Sequence, residues 1–382
     1  MNQLIHTLEQ MLDQLNKKQD SNTFELISLL LSEANLHSQP TWAAHMTPTV
    51  SQSALIGQLI AGLHNGNLLS ANLYPRLAEI EAQLISWFCL LFKQKNGHFT
   101  HGSSYGNLEA LWQAREHRKT SSNIVYGSSS AHYSVAKSCR ILGLEFRPIA
   151  TDQQGRVQIT ELKAACQKDR PLAIVATAGT SSCGAIDSLS ECIDIAHSVN
   201  SWCHIDAAWG GALALLENQP YLSGIEHADS LCFDPHKSLG QAKPCSILVY
   251  QHKLEPFTDL DVDYLTLTPK KTIAGSYGGE LFLPLWFCLQ VNQDEIINHI
   301  KQRLRQAELF AQILKDKTGW TVWHSPTGIV CFEPSDLQGL SLLEKKGIFS
   351  RAQINSLDVY RAVFANPTTT ARALITELEP YF

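Results

Sequence analysis

Between residues 124 and 250 the chain alternates short apolar runs with polar, helix-prone stretches, and no other feature restricts the possible folds as much. The runs are Ile124–Tyr126, Glu145–Ile149, Leu172–Thr177, Trp202–Ile205, Leu231–Phe233 and Ser246–Tyr250. Helical patterns fall between them near Tyr133–Leu142, Thr160–Gln167 and Leu189–Ser198. Short apolar strands separated by helices of about ten residues predict an α/β fold with a mostly parallel sheet, covered on both faces. In such a sheet ligands collect beyond the carboxyl ends of the strands, so the loops there are the place to look for chemistry.

The flanking segments divide the chain into three expected parts. Residues 1–45 read as a helical arm. Leu4, Ile5, Leu8, Met11, Leu12 and Leu15 share one helical face, and a second short helix is expected around Phe24–Leu31. Residues 46–292 form the large domain, with helical period from Ser51 to Phe92 and a new helix started by Pro75. After Val291 the pattern changes to a long charged helix from Asp294 to about Lys317. Strands at Trp320–His324, Ile329–Glu333 and Val359–Phe364 and a closing helix near Thr368–Leu378 follow. Residues 293–382 are therefore expected to form a small α+β domain.

Composition removes several classes of function. With 382 residues, 44% hydrophobic and 17% charged, the chain has the make-up of a soluble globular protein. A formal net charge of -6 gives no general attraction to nucleic acid or to an anionic membrane. The 10 cysteines are scattered, with no C-x-x-C pair, and Cys89, Cys232 and Cys331 sit in apolar runs. That distribution suits reduced thiols in a cytoplasm. The N-terminus has no basic region followed by an apolar core, so no signal peptide is expected, and no apolar run reaches the ~18 residues of a membrane span.

Chemistry concentrates in five places. Lys237, in Asp234-Pro235-His236-Lys237, is expected on a tight turn between two buried strands. Lysines desolvated in this way have lowered pKa values and form Schiff bases. His101-Gly102-Ser103-Ser104-Tyr105-Gly106-Asn107 opens a helix with small residues, which suits an anion cradle. His204-Ile205-Asp206-Ala207-Ala208-Trp209-Gly210-Gly211 ends a strand on a carboxylate beside small residues, so that a planar ring can approach and its N–H⁺ can pair with Asp206. His132 follows Ser128-Ser129-Ser130-Ala131 at another strand-to-helix turn, where an imidazole can stack on a planar ligand. The last is the hydroxyl-rich loop Ala178–Asp187, whose hydroxyls can reach a phenolic oxygen. Together these supply what pyridoxal phosphate needs.

Rival readings use fewer of these residues. Gly102-x-Ser104-x-Gly106 matches the nucleophile elbow of a serine hydrolase, with Asp206 and His236 following in order. His204 with Asp206, and Asp234 with His236, are i, i+2 pairs that each face one side of a strand and suit a metal ion.

FTHGSSYGNLEALWQAR, SSSAHYSVAK, ATAGTSSCGAID, HIDAAWGG and DPHK, in this order and spacing, resemble the group II pyridoxal-phosphate-dependent amino acid decarboxylases of the aspartate aminotransferase fold (fold type I). The similarity runs from about His45 to the C-terminus. The resemblance implies Lys237 as the Schiff-base lysine, His236 as its phosphate-binding neighbour and Asp206 as partner of the pyridine nitrogen. It also implies ring contacts from Ala208 and His132, phosphate contacts from Ser103 and Ser104, Ser181 near the ring oxygen, and supporting contacts from Asp187 and Asp234. Tyr264 lies where relatives carry a loop tyrosine that protonates the substrate carbon; a packed tyrosine is the other reading, and His132 is a second candidate acid. A homodimer with its active site at the subunit interface is implied as well.

Two departures from the family pattern stand out. Ser103 replaces a second glycine, and the relatives often carry arginine where Tyr277 or Gly278 stands. AHMTPT, NLEALW and DAAWGGAL lean toward relatives acting on diamino acids, whereas DPHK with Cys245-Ser246 leans toward acidic substrates; aromatic substrates complete the range. Another lyase or aldehyde-forming reaction on the same cofactor, or a catalytically degenerate homologue with a binding role, are the alternatives.

Overall fold

Seven strands form the central sheet of the computed structural model, which describes residues 21–118, 120–255 and 272–382 with His6, Gln10, Asp13 and Gln14. They are β1 (Asn96–Thr100), β2 (Ile124–Ser128), β3 (Glu145–Ile149), β4 (Ala173–Thr177), β5 (Trp202–Asp206), β6 (Ser230–Phe233) and β7 (Ser246–Tyr250), in spatial order β1-β7-β6-β5-β4-β2-β3. β2 through β6 pair in parallel, and β7 pairs antiparallel with both β6 and β1. Every residue of β4, β5, β6 and β7 is buried, as continuous apolar runs require when both faces of a sheet are covered. Pro148 sits in β3, the edge strand, where its missing N–H leaves no ladder bond unmade.

The apolar runs marked six of these strands. β1, with sequence NGHFT, was not among them, because only Phe99 in it is strongly apolar. It is a strand because it lies along β7, with His98 opposite Leu248 and Phe99 opposite Ile247. Phe99 then joins Phe88, Phe92 and Phe233 in one aromatic cluster beneath β6.

The helices begin with α1 (Ser21–Leu36), longer than the Phe24–Leu31 expected, and α2 (Gln52–His64). α3 (Pro75–Phe92), α4 (Ser103–His117), α5 (Tyr133–Leu142), α6 (Ile159–Lys168) and α7 (Leu189–Ser198) follow in chain order. α8 (Pro235–Ser238) is a single turn, so Lys237 stands on a short helix and not on a tight turn between strands. α9 (Leu283–Lys317) starts well before Asp294 and runs through residue 292 without a break. Pro284 is tolerated because it falls in the first turn. α2 lies against this first turn at Gly57, where a Cβ would stand 2.6 Å from Pro284 Cα.

A second, antiparallel sheet of order β10-β11-β9-β8 closes the chain, from β8 (Thr321–His324), β9 (Ile329–Glu333), β10 (Ser350–Ile354) and β11 (Leu357–Val363). The short α10 (Ser341–Lys345) precedes β10, and α11 (Ala371–Leu378) ends the chain. Its core gathers Phe310, Phe332, Phe349, Tyr360 and Phe364, and Ala43 from the N-terminal segment packs into it. Among the described residues no helix is long and apolar enough to cross a membrane.

Candidate active site

Because β1, β2, β4, β5 and β6 all run the same way, the loops after them meet at one edge of the sheet. They enclose a cavity of about 370 Å³. Ser103, Ser104, His132, Ser181, Asp206, Ala208, Asp234, His236 and Lys237 all line it. Tyr264 lies outside the described residues.

Asp234 follows β6 and occupies the position just before α8. Its Oδ1 accepts from the Ser103 backbone N–H at 2.9 Å and from the Ser103 hydroxyl at 2.7 Å, and its Oδ2 stands 3.1 Å from Lys237 Nζ. Burial alone would raise the Asp234 pKa, but the Lys237 ammonium and the nearby imidazole of His236 leave it below the usual carboxylate value. Lys237 shows the reverse of the sequence expectation. Burial works to lower its pKa, yet Asp234 and Asp206 outweigh it, and the amine is held above its ordinary value. Two buried carboxylates facing one ammonium explain the sign.

Asp206 ends β5 and is tied into a network that the motifs did not announce. Its Oδ2 accepts from Asn107 Nδ2 at 2.9 Å, and its Oδ1 from the Ala208 N–H at 3.2 Å. The same Asn107 amide nitrogen donates to Ser134 Oγ at 2.8 Å, so Asn107 Oδ1 is left to accept from His204 Nε2 at 2.9 Å. His204 Nδ1 then accepts from the Ser230 hydroxyl at 2.8 Å, while that oxygen accepts from Trp202 Nε1 at 2.9 Å. Every donor has an acceptor only if His204 is neutral, and burial indeed pushes its pKa down to about 4. On the other branch His132 Nδ1 accepts from the Ser134 N–H at 3.3 Å and lies 2.7 Å from Ser134 Oγ, so the ring proton of a neutral His132 belongs on Nε2. Burial lowers the His132 pKa as well.

Asn107 is the residue the sequence reading missed. One signal was present: Ser103 and Asn107 are i, i+4 on α4, so a polar stripe of a buried helix faces the ends of β5 and β6.

The remaining predicted residues have well-defined settings. His236 Nδ1 lies 2.7 Å from the Cys245 carbonyl and Nε2 lies 3.7 Å from Asp234, so the carboxylate beside this imidazole is Asp234 and not the Asp206 of the hydrolase reading. Burial lowers its pKa. His204 is committed to Asn107 and Ser230, not paired with Asp206 as a metal ligand, and no cluster of three or more metal-binding side chains occurs among the described residues. The Ser181 loop is held from a distance, since Arg361 on β11 donates to the Ser181 carbonyl and, at 3.2 Å, to that of Ala44. Asp187 accepts from the Val157 and Thr177 amides at 2.7 and 2.8 Å and fixes the start of that loop; burial brings its pKa up to about 6.

Tyr277 donates its hydroxyl to Glu81 at 3.4 Å. Gly278 has no room for any side chain, because a Cβ would stand 2.2 Å from the Gly66 carbonyl oxygen.

Pyridoxal phosphate fits these residues. The cavity offers a reachable amine and a buried carboxylate at the end of a strand. Small Ala208 forms part of one wall, and the start of a 15-residue helix lies beside the serines. Buried Thr177 Oγ1 and Trp209 Nε1, both on residues lining the cavity, have no hydrogen-bond partner within the protein.

Residues 3–334 match the family model described as the pyridoxal-dependent decarboxylase conserved domain. An L-2,4-diaminobutyrate decarboxylase of Rhizobium meliloti is 34% identical over 241 residues, 59% of this chain. This chain spans about half of that relative's length (48%). An aromatic-L-amino-acid decarboxylase of Bacillus atrophaeus is 29% identical over 78% of this chain and 71% of its own. Other relatives are named as aspartate and histidine decarboxylases. In structure, tryptophan decarboxylase of Catharanthus roseus superposes with a TM-score of 0.80 at 22% identity, covering 90% of this chain and 83% of that one. The fold is thus that of these fold type I enzymes, and the chain belongs to the pyridoxal-dependent decarboxylase family, lyases that use pyridoxal phosphate as cofactor.

Proposed function

We propose that this protein removes the α-carboxylate of an L-amino acid as carbon dioxide, with Lys237 anchoring the cofactor. The observation that carries the reading is the meeting of Lys237, Asp234 and Asp206 in one cavity whose walls come from five separate loops. When bound, pyridoxal phosphate supplies an electron sink for the pair left behind by the broken carbon–carboxylate bond. Asp206, fixed by Asn107 and the Ala208 amide, would hold the proton of the ring nitrogen. Ser103 and Ser104 would take the phosphate at the start of α4, with Ser103 leaving Asp234 to do so, and His236 would stand beside them. Ser181 would sit by the ring oxygen, and Ala208 and His132 on the two ring faces. The Nε2 proton of His132 makes it the acid we favour for returning a proton to the substrate carbon, with Tyr264 the alternative.

Relatives named for diaminobutyrate, aromatic amino acids, aspartate and histidine support amino acids as the substrate class, and diaminobutyrate is the first to test because that relative shares 34% identity. A homodimer with the active site at its interface is supported by the exposed Leu55, Ile56, Leu59 and Leu63 on α2. The absence of any long apolar helix among the described residues is compatible with a cytoplasmic location.

The test is incubation of the cofactor-loaded protein with pooled amino acids and identification of the amine formed. Lys237→Ala should lose both turnover and the borohydride-sensitive visible absorbance. A fully active Lys237→Ala protein would end the proposal.

A further inference from the structure

Lys237 lines the catalytic cavity, but its neighbour Ser238, with Leu239 and Gly240, lines a second cavity of about 220 Å³. Its other walls include the N-cap Ser51 and the first residues of α2 (Gln52, Ser53), segments around Thr49 and Ala365, and one face of α9 with Arg303. Arg303 is only 4% exposed. It donates to three backbone carbonyls, those of Phe364 (3.3 Å), Ala365 (3.4 Å) and Ser238 (3.1 Å), and its guanidinium carbon lies 5.7 Å from the Trp209 ring centre. Among the described residues no carboxylate lies within ion-pair distance of it.

An arginine charge buried without a counter-charge is costly, and carbonyl dipoles offset only part of that cost. Burial pulls the Arg303 pKa down to about 10, the sign of a cation lacking its anion. Three polar features around the cavity also lack partners. Arg303 Nε is buried with no hydrogen-bond acceptor, and Ser238 Oγ, on a residue 6% exposed, is buried with no partner either. The Ser51 hydroxyl caps only the Ala54 amide of the 13-residue α2, so the first-turn amides of Gln52 and Ser53 have no intrahelical acceptor. The carboxylate among the lining residues, Glu295, has a half-exposed side chain that lies 3.5 Å from His299.

We propose that this second cavity binds a small inorganic anion between the Arg303 guanidinium, the Ser238 hydroxyl and the N-terminus of α2. An anion there satisfies the buried cation, the orphaned hydroxyl and the open helix end together. The space suffices for one such ion with water and not for a large organic ligand. Ser238 adjoins Lys237 on α8 and its carbonyl accepts from Arg303, so the site lies one residue from the lysine of the catalytic cavity.

The test is thermal unfolding of the full-length, cofactor-loaded protein, so that the catalytic phosphate cradle is already filled. Sodium chloride or sodium phosphate replaces sodium gluconate at constant ionic strength. A saturable rise in Tm is expected for the wild type. A rise in chloride identifies a halide site, and a rise in phosphate alone identifies an oxyanion site; either supports the proposal. Ser238→Ala should raise the half-saturating concentration about tenfold, the loss of one charge-assisted hydrogen bond. Arg303→Gln should abolish the response. Should that variant fail to fold, Ser53→Asp places a carboxylate at the cavity wall and should raise Tm in gluconate while removing the anion response. Equal Tm values in all three salts, a rise that never saturates, or a wild-type response in both Ser238→Ala and Ser53→Asp would overturn the proposal. None of these readouts depends on which substrate the enzyme decarboxylates.

Discussion

Replacing Asn107 by Leu keeps the branched outline of the side chain and removes both amide donors and the carbonyl acceptor at once. Asp206 would lose its 2.9 Å bond, and His204 Nε2 would be left buried without an acceptor. Each orphaned group costs about 1–3 kcal/mol. Asn107→Leu should therefore lower stability by several kcal/mol in urea unfolding and weaken cofactor binding at least tenfold in a fluorescence titration; unchanged binding would remove Asn107 from the site. His204 makes a pH prediction. Its folded pKa of about 4 lies below the unfolded value near 6.5, so the unfolded chain binds the extra proton. The stability this group contributes is fully present above about pH 6.5 and is lost as pH falls through 4, up to roughly 3 kcal/mol. His204→Gln should flatten the pH dependence of the urea midpoint across that window. At this scale the sequence exposed residues whose chemistry is conspicuous, namely Lys237, Asp206 and His132. It hid Asn107, whose importance lies in reaching β5 and α5 simultaneously.

At the scale of elements, the departure at Gly278 has a steric cause. Its φ of -149° is ordinary extended backbone, so any residue is conformationally allowed there; the Gly66 carbonyl is what excludes a side chain. Gly278→Ala should cost about 1–3 kcal/mol in urea unfolding, because the segment after Gly66 must shift to admit a methyl group. A neutral result would mean that the Gly66 loop yields freely. The buried parallel strands were readable because both-sided burial writes itself as unbroken apolar runs. β1 was not, because a strand made by pairing with β7 needs little apolar signal of its own. The early start of α9 was hidden by Pro284, which reads as a breaker but occupies the first turn of the helix.

Across the whole molecule, Leu55, Ile56, Leu59 and Leu63 project from α2 with 50%, 45%, 43% and 52% exposure. Apolar side chains in that density on one helix favour burial against a partner. Leu59→Glu with Leu63→Glu should convert a dimer to a monomer in light scattering after size exclusion, with turnover falling in parallel. A double variant that stays dimeric would place the interface elsewhere. The sequence by itself determined the α/β class, the cofactor and most of the residues that line the cavity, since these follow from local patterns: strand runs, small-residue loops, and a lysine beside an acid. Tertiary structure alone decided the direction of the Lys237 pKa shift, which burial makes downward and two carboxylates, Asp206 at the end of β5 and Asp234 after β6, make upward. It also decided which partner each imidazole takes, how Arg361 reaches the Ser181 loop from the second sheet, and why Arg303 Nε is buried without an acceptor. Those properties depend on distances between segments far apart in the chain, and Coulomb and desolvation energies are set by such distances.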